Sequence, residues 1–101
     1  MFRKIGVSKA VNESGVVVNA GTSQREEISC EIAGREYVMC AAFGPSRRME
    51  NVMAFYIGII TAREKKENAI MNVQLALPLQ KEIQQYVTEG LTALGYETCW
   101  V

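Results

Sequence analysis

NVMAFYIGIITAR, residues 51–63, is the stretch on which the architecture turns, because it is almost wholly apolar and fits two backbones. Read as a helix, it takes Ser46 as its N-cap and runs through Met49, Met53, Tyr56 and Ile60. Read as a strand, its β-branched and aromatic residues suit a pleated surface and fall into two rows. Met53, Phe55, Ile57 and Ile59 make one row, and Val52, Ala54, Tyr56, Gly58, Ile60 and Ala62 the other. The strand is the reading adopted, because the sequence that follows supplies a partner for it.

Residues 69–77 alternate cleanly, with Met71, Val73, Leu75 and Leu77 apolar against Asn72 and Gln74. The charged segment 64–68, EKKEN, then serves as a hairpin loop. Pairing Arg63 with Ala69 sets Ile59 against Val73, Ile57 against Leu75 and Phe55 against Leu77, which gives one continuous hydrophobic face. Beyond it, Leu79, Ile83, Tyr86, Val87, Gly90, Leu91 and Leu94 recur at helical spacing. Pro78 suits the first turn and Gly95 the residue just past the end, so a helix is expected over 78–94. Gly90 falls on its buried side, where it costs about 1 kcal/mol relative to Ala unless a neighbour approaches closely. Residues 96–101, YETCWV, read as a short closing strand.

Working back toward the N-terminus, Ile28, Cys30 and Ile32 alternate with polar residues, and Tyr37, Met39, Ala41 and Phe43 continue the pattern. A type II′ turn at Gly34-Arg35 pairs Ile32 with Tyr37, Cys30 with Met39 and Ile28 with Ala41. Residues 12–15, NESG, signal another turn between 5–11 and 16–20. The expected fold is α+β. Three successive hairpins make an antiparallel sheet of five or six strands, packed by one long C-terminal helix and closed by a short C-terminal strand.

Composition narrows the chemistry. A chain of 101 residues, 49% hydrophobic, makes one globular domain able to bury roughly 60 to 70% of its unfolded surface without disulfides or metal. It contains no His and no Asp. That removes Ser-His-Asp and Cys-His arrangements, His-ligated zinc and imidazole acid–base work. Cys30, Cys40 and Cys99 are odd in number and lack CxxC spacing, which points away from zinc and toward a reducing, cytoplasmic setting. None has a neighbour that would activate it. The N-terminus lacks the apolar stretch of a signal peptide, and the longest apolar run, 52–60, falls short of the about 20 residues that span a bilayer. No enzyme activity, cofactor, metal or membrane association is expected.

Eleven basic and eleven acidic residues cancel, which disfavours nucleic acid as a partner. The charges are nevertheless segregated: residues 1–12 carry three basic groups and no acid, and 37–66 carry five basic and two acidic groups. Two candidate surfaces follow. One is the second apolar row, centred on Tyr56 and Ile60, which a single helix cannot cover and which points to a homo-oligomer or a protein partner. The other is the loop 44–48, GPSRR, in which Ser46, Arg47 and Arg48 present a hydroxyl and two guanidiniums. Arg63 lies at the far end of the same strand, and antiparallel pairing of two subunits would bring it to this loop. The expected function is non-enzymatic binding of another macromolecule, an inhibitor being one form of it. The alternative is a protein that binds a nucleotide or other phosphate ligand through the arginine loop.

Overall fold

The computed structural model describes residues 1–21, 27–66, 69–73 and 75–100, and over 59–66 and 69–73 it describes the backbone alone. The elements run in the order β1 (Arg3–Lys4), β2 (Lys9–Val11), β3 (Val17–Asn19), β4 (Glu27–Ile32), β5 (Arg35–Pro45), β6 (Met53–Lys66), β7 (Ala69–Val73), α1 (Leu77–Ala93) and β8 (Glu97–Trp100). Strands β1 to β7 form an antiparallel meander in chain order, and β8 joins β6 in parallel. Helix α1 touches β1 to β4 and β8, so the sheet wraps around it. The architecture is α+β, as the sequence implies.

The strand count differs from the five or six expected. Seven strands lie on the meander: of the expected strand 5–11 only β2 forms, and Arg3–Lys4, ahead of it, pair with it across the turn at 5–8 in register Lys4 with Ala10. The turn at 12–15 forms as expected, held by the Asn12 side chain, whose Oδ1 accepts from the Ser14 and Val16 amides.

Residues 53–66 are a strand, and the helical alternative leaves one trace. Ser46 Oγ accepts from the amides of Arg48 and Met49 at 3.1 and 3.0 Å, as an N-cap would, but Asn51 at φ 63° ends the turn before a helix can grow. Both hairpin registers also differ from expectation. In β4–β5 the turn is Ala33-Gly34, with φ 51° and 79°, so Cys30 faces Tyr37 and Ile28 faces Met39. Positive φ at both positions belongs to a type I′ turn. This shift by two preserves the faces, which is why alternation alone could not detect it. In β6–β7 the pairing begins at Lys66 with Ala69, three residues further along β6 than expected. The strand therefore ends at Val73, and Leu75 and Leu77 do not pair with β6. The β6 edge they were expected to occupy, from Ala54 to Ile57, is taken by β8.

A β-bulge corrects the two rows assigned to residues 51–63. Met39 pairs with Ile60 while Ala41 pairs with Ile57, so Cys40 stands opposite both Gly58 and Ile59. Past the bulge, the register sets Ile60 and Ala62 opposite the buried residues Met39 and Tyr37. Both rows are therefore broken at Gly58-Ile59, and Ile60 and Ala62 leave the outer row.

The core fills the space between α1 and the inner face of the sheet. Ile28, Cys30, Met39, Ile57, Ile83, Val87 and Leu91 are fully buried there, with Val18 and Ala10 from the N-terminal strands. Gly90 is where helix and sheet come closest. A Cβ added there would lie 2.7 Å from Val18 Cβ, which supplies the reason for a glycine on the buried face. At its C-terminus, Gly95 at φ 91° completes a Schellman motif, with Tyr96 N–H donating to Leu91 O at 2.9 Å and Gly95 N–H to Thr92 O at 3.0 Å.

Candidate functional site

Strand β5 overshoots β4 by several residues, and β6 accompanies it to the pair Pro45 with Met53. The loop 46–52 caps this projecting ribbon. Its base is closed by Ser46 N–H donating to Val52 O at 2.8 Å. The Ser46 hydroxyl donates to the Glu97 carboxylate, which fastens the loop to β8 while the same oxygen organises the Arg48 and Met49 amides. The tyrosine of the outer row contributes a second fastening. Tyr56 Oη donates to Pro45 O at 2.7 Å, and the Arg47 guanidinium sits over the Tyr56 ring, 5.8 Å from its centroid.

Together Ala42, Pro45, Ser46, Arg47 and Tyr56 line an open depression of about 640 Å³ on the face of the sheet opposite the helix. Three expected site residues, Ser46, Arg47 and Tyr56, thus meet. Arg48 does not join them. It lines a different hollow of about 370 Å³ with Met49, Thr88, Tyr96 and Glu97, among others, so the two guanidiniums diverge. Ile60 and Arg63 stand further along β6, paired by backbone with Met39 and Glu36, and their side chains lie outside the described residues. At about 3.3 Å per residue, Arg63 is roughly 23 Å of strand away from Tyr56.

The residue missed by sequence reasoning is Glu97. It is 51 positions from Ser46, and only the parallel pairing of Ala54 with Glu97 brings the two together. No local pattern announces such a pairing. Behind the loop, Phe43, Phe55 and Tyr96 form an aromatic cluster with centroids 4.8 to 5.6 Å apart, which stiffens the ribbon from the helix side.

The three cysteines are free thiols in different settings. Burial, assisted by the negative charge of Glu82, pushes Cys30 up to about 12, so it stays a neutral core residue. Cys40 is exposed on β5, and Cys99 points its thiol at Glu97 Oε1, 3.8 Å away. Among the described residues, no group of three His, Cys, Asp or Glu could hold a metal ion. No helix among them is long and apolar enough to cross a membrane.

No family model, curated protein or solved structure matches this chain. The functional reading therefore rests on the site itself.

Proposed function

We propose that this protein is a non-enzymatic interaction module that binds a protein partner through the outer face of the β5–β6 ribbon, with Arg47 and Tyr56 as anchors. The observation that carries this reading is the Arg47–Tyr56 stack beside an open, mainly apolar depression. Arg and Tyr dominate the energetics of protein contacts because each combines a broad flat surface with directed hydrogen bonds. The anchors are held in advance by Ser46, Glu97 and Pro45, so little ordering remains for binding to cost. Among the described residues no carboxylate pairs with Arg47. An incoming Asp or Glu, flanked by an apolar side chain for the depression, fits this geometry.

A phosphate clamp draws less support. The two guanidiniums line separate hollows, and the Ser46 hydroxyl already serves Glu97 and the loop amides. The bulge also takes Ile60 and Ala62 out of the outer row that would seat a second copy of the chain.

Affinity capture from the native cell, using wild type and Arg47→Glu, tests the proposal. A captured protein that binds the purified wild type and binds Arg47→Glu at least about tenfold more weakly supports it, since a desolvated charge contact is worth about 2 kcal/mol or more. Equal binding by both forms removes the assignment. A thermal shift with inorganic phosphate or nucleotides that disappears in Arg47→Glu would replace it with the ligand reading. Light scattering that shows a dimer, broken by Tyr56→Ala, would make the partner a second copy.

A further inference from the structure

We infer that the turn between β1 and β2 docks the protein onto an anionic lipid surface. Residues 5–8, IGVS, form a projecting turn closed by Ile5 N–H donating to Lys9 O at 2.9 Å. Its apolar side chains stand in solvent: Val7 is 89% exposed and Ile5 52%. Immediately behind them come Arg3, Lys4 and Lys9, all exposed, and no carboxylate of the described residues pairs with them. The turn is also held in shape, because Ser8 O accepts from Ala20 N–H at 2.7 Å and Ser8 Oγ donates to Asn19 Oδ1 at 3.3 Å.

The order of these groups matches half a bilayer. An apolar apex enters the acyl boundary, and ammonium and guanidinium groups one or two residues behind it meet the lipid phosphates and carboxylates. Nucleic acid offers phosphates but would press Val7 and Ile5 against charge. With Val7 89% exposed at the apex, a protein partner would have to supply the pocket that covers it. Each Lys or Arg near an anionic membrane raises binding about fivefold, and the cluster about a hundredfold. The tip lies on the surface and does not span it. This assignment is independent of the Arg47–Tyr56 reading, although the meander carries the β1–β2 and β5–β6 connections at the same sheet end.

Co-sedimentation with phosphatidylcholine vesicles, with and without about one-third phosphatidylserine, provides the test. The wild type is expected to bind the phosphatidylserine vesicles at about 0.05 M salt and to dissociate at about 0.5 M, where screening is short-ranged. Lys4→Glu/Lys9→Glu should lower binding more than about 25-fold, and Ile5→Ser/Val7→Ser several-fold, with unchanged circular dichroism. Absence of binding by the wild type, or equal binding by the charge-reversed form, overturns the inference. So does binding that Ile5→Ser/Val7→Ser leaves intact or that polyglutamate reproduces, because either shows charge attraction without an apolar tip. Arg47→Glu protein that still sediments with vesicles but fails to capture the protein partner would separate the two surfaces.

Discussion

Val18 and Gly90 show how a single missing carbon fixes the distance between helix and sheet. The added Cβ in Gly90→Ala would meet Val18 Cβ and Cγ2 at 2.7 Å, both part of a fully buried β-branched side chain that cannot swing away. Overpacking of this kind costs about 1–3 kcal/mol, which outweighs the roughly 1 kcal/mol gained in helix propensity. Gly90→Ala should therefore lower the urea midpoint, whereas in a Val18→Gly background, which removes the opposing Cβ as well as both methyl groups, Gly90→Ala should be neutral or stabilising. A double-mutant cycle by urea denaturation measures that coupling. Cys30 gives the residue scale a pH dependence. Its thiol ionises near 9 when unfolded and near 12 when folded, so the native state holds the proton more tightly. That contribution is complete below about pH 9 and is lost as pH rises toward 12. Unfolding midpoints between pH 8 and 11 should fall more steeply for wild type than for Cys30→Ala, whose cavity cost does not depend on pH.

Helix α1 has a well-formed end and a bare beginning. The C-terminal Schellman motif is complete, yet the N-cap is Ala76, which has extended geometry (φ −64°, ψ 146°) and no side chain able to accept a hydrogen bond. Because Pro78 has no N–H, Leu79 N–H is the donor an N-cap oxygen would reach. Ala76 is exposed, so Ala76→Asp should stabilise by about 1 kcal/mol at neutral pH, and the gain should fade as pH drops below about 4. Chemical denaturation at pH 7 and pH 3 checks both halves of that expectation. This helix is also the element most legible in the sequence. Its apolar residues repeat at 3.6, a period that specifies face and length together, and Pro78 and Gly95 mark its ends. The strands were legible as strands but not in register. Period-two alternation leaves a shift by two invisible, as in β4–β5, and nothing but Gly58 hints at the bulge that moves Ile60 into register with Met39. The candidate loop was readable as Ser46, Arg47 and Arg48 because Gly44-Pro45 announces a turn. The divergence of the two arginines was not, since it depends on which side of the ribbon each residue leaves.

At the scale of the whole molecule, β8 decides whether helix and sheet form one cooperative unit. The strand returns from α1 to the middle of the chain, pairing beside Ala54, Phe55, Tyr56 and Ile57, while Trp100 Nε1 donates to Thr88 Oγ1 of the helix at 3.0 Å. Glu97 in turn holds the Ser46 loop, so one four-residue strand ties together the helix, β6 and the candidate site. Without it, the backbone edge of β6 from Ala54 to Ile57 would be open, beside the buried residues Phe55 and Ile57. An open edge of that kind recruits other strands. A chain ending at Tyr96 is therefore expected to self-associate in sedimentation velocity and to lose a sharp unfolding transition, in contrast to the full chain. Trp100 is the sole tryptophan, so its fluorescence reports closure directly. In the full chain, fluorescence and far-ultraviolet circular dichroism should give coincident urea transitions, as two-state unfolding requires. Fluorescence that changes well before circular dichroism would mean that β8 detaches while the meander and α1 persist, and would reduce the strand to an accessory of the fold.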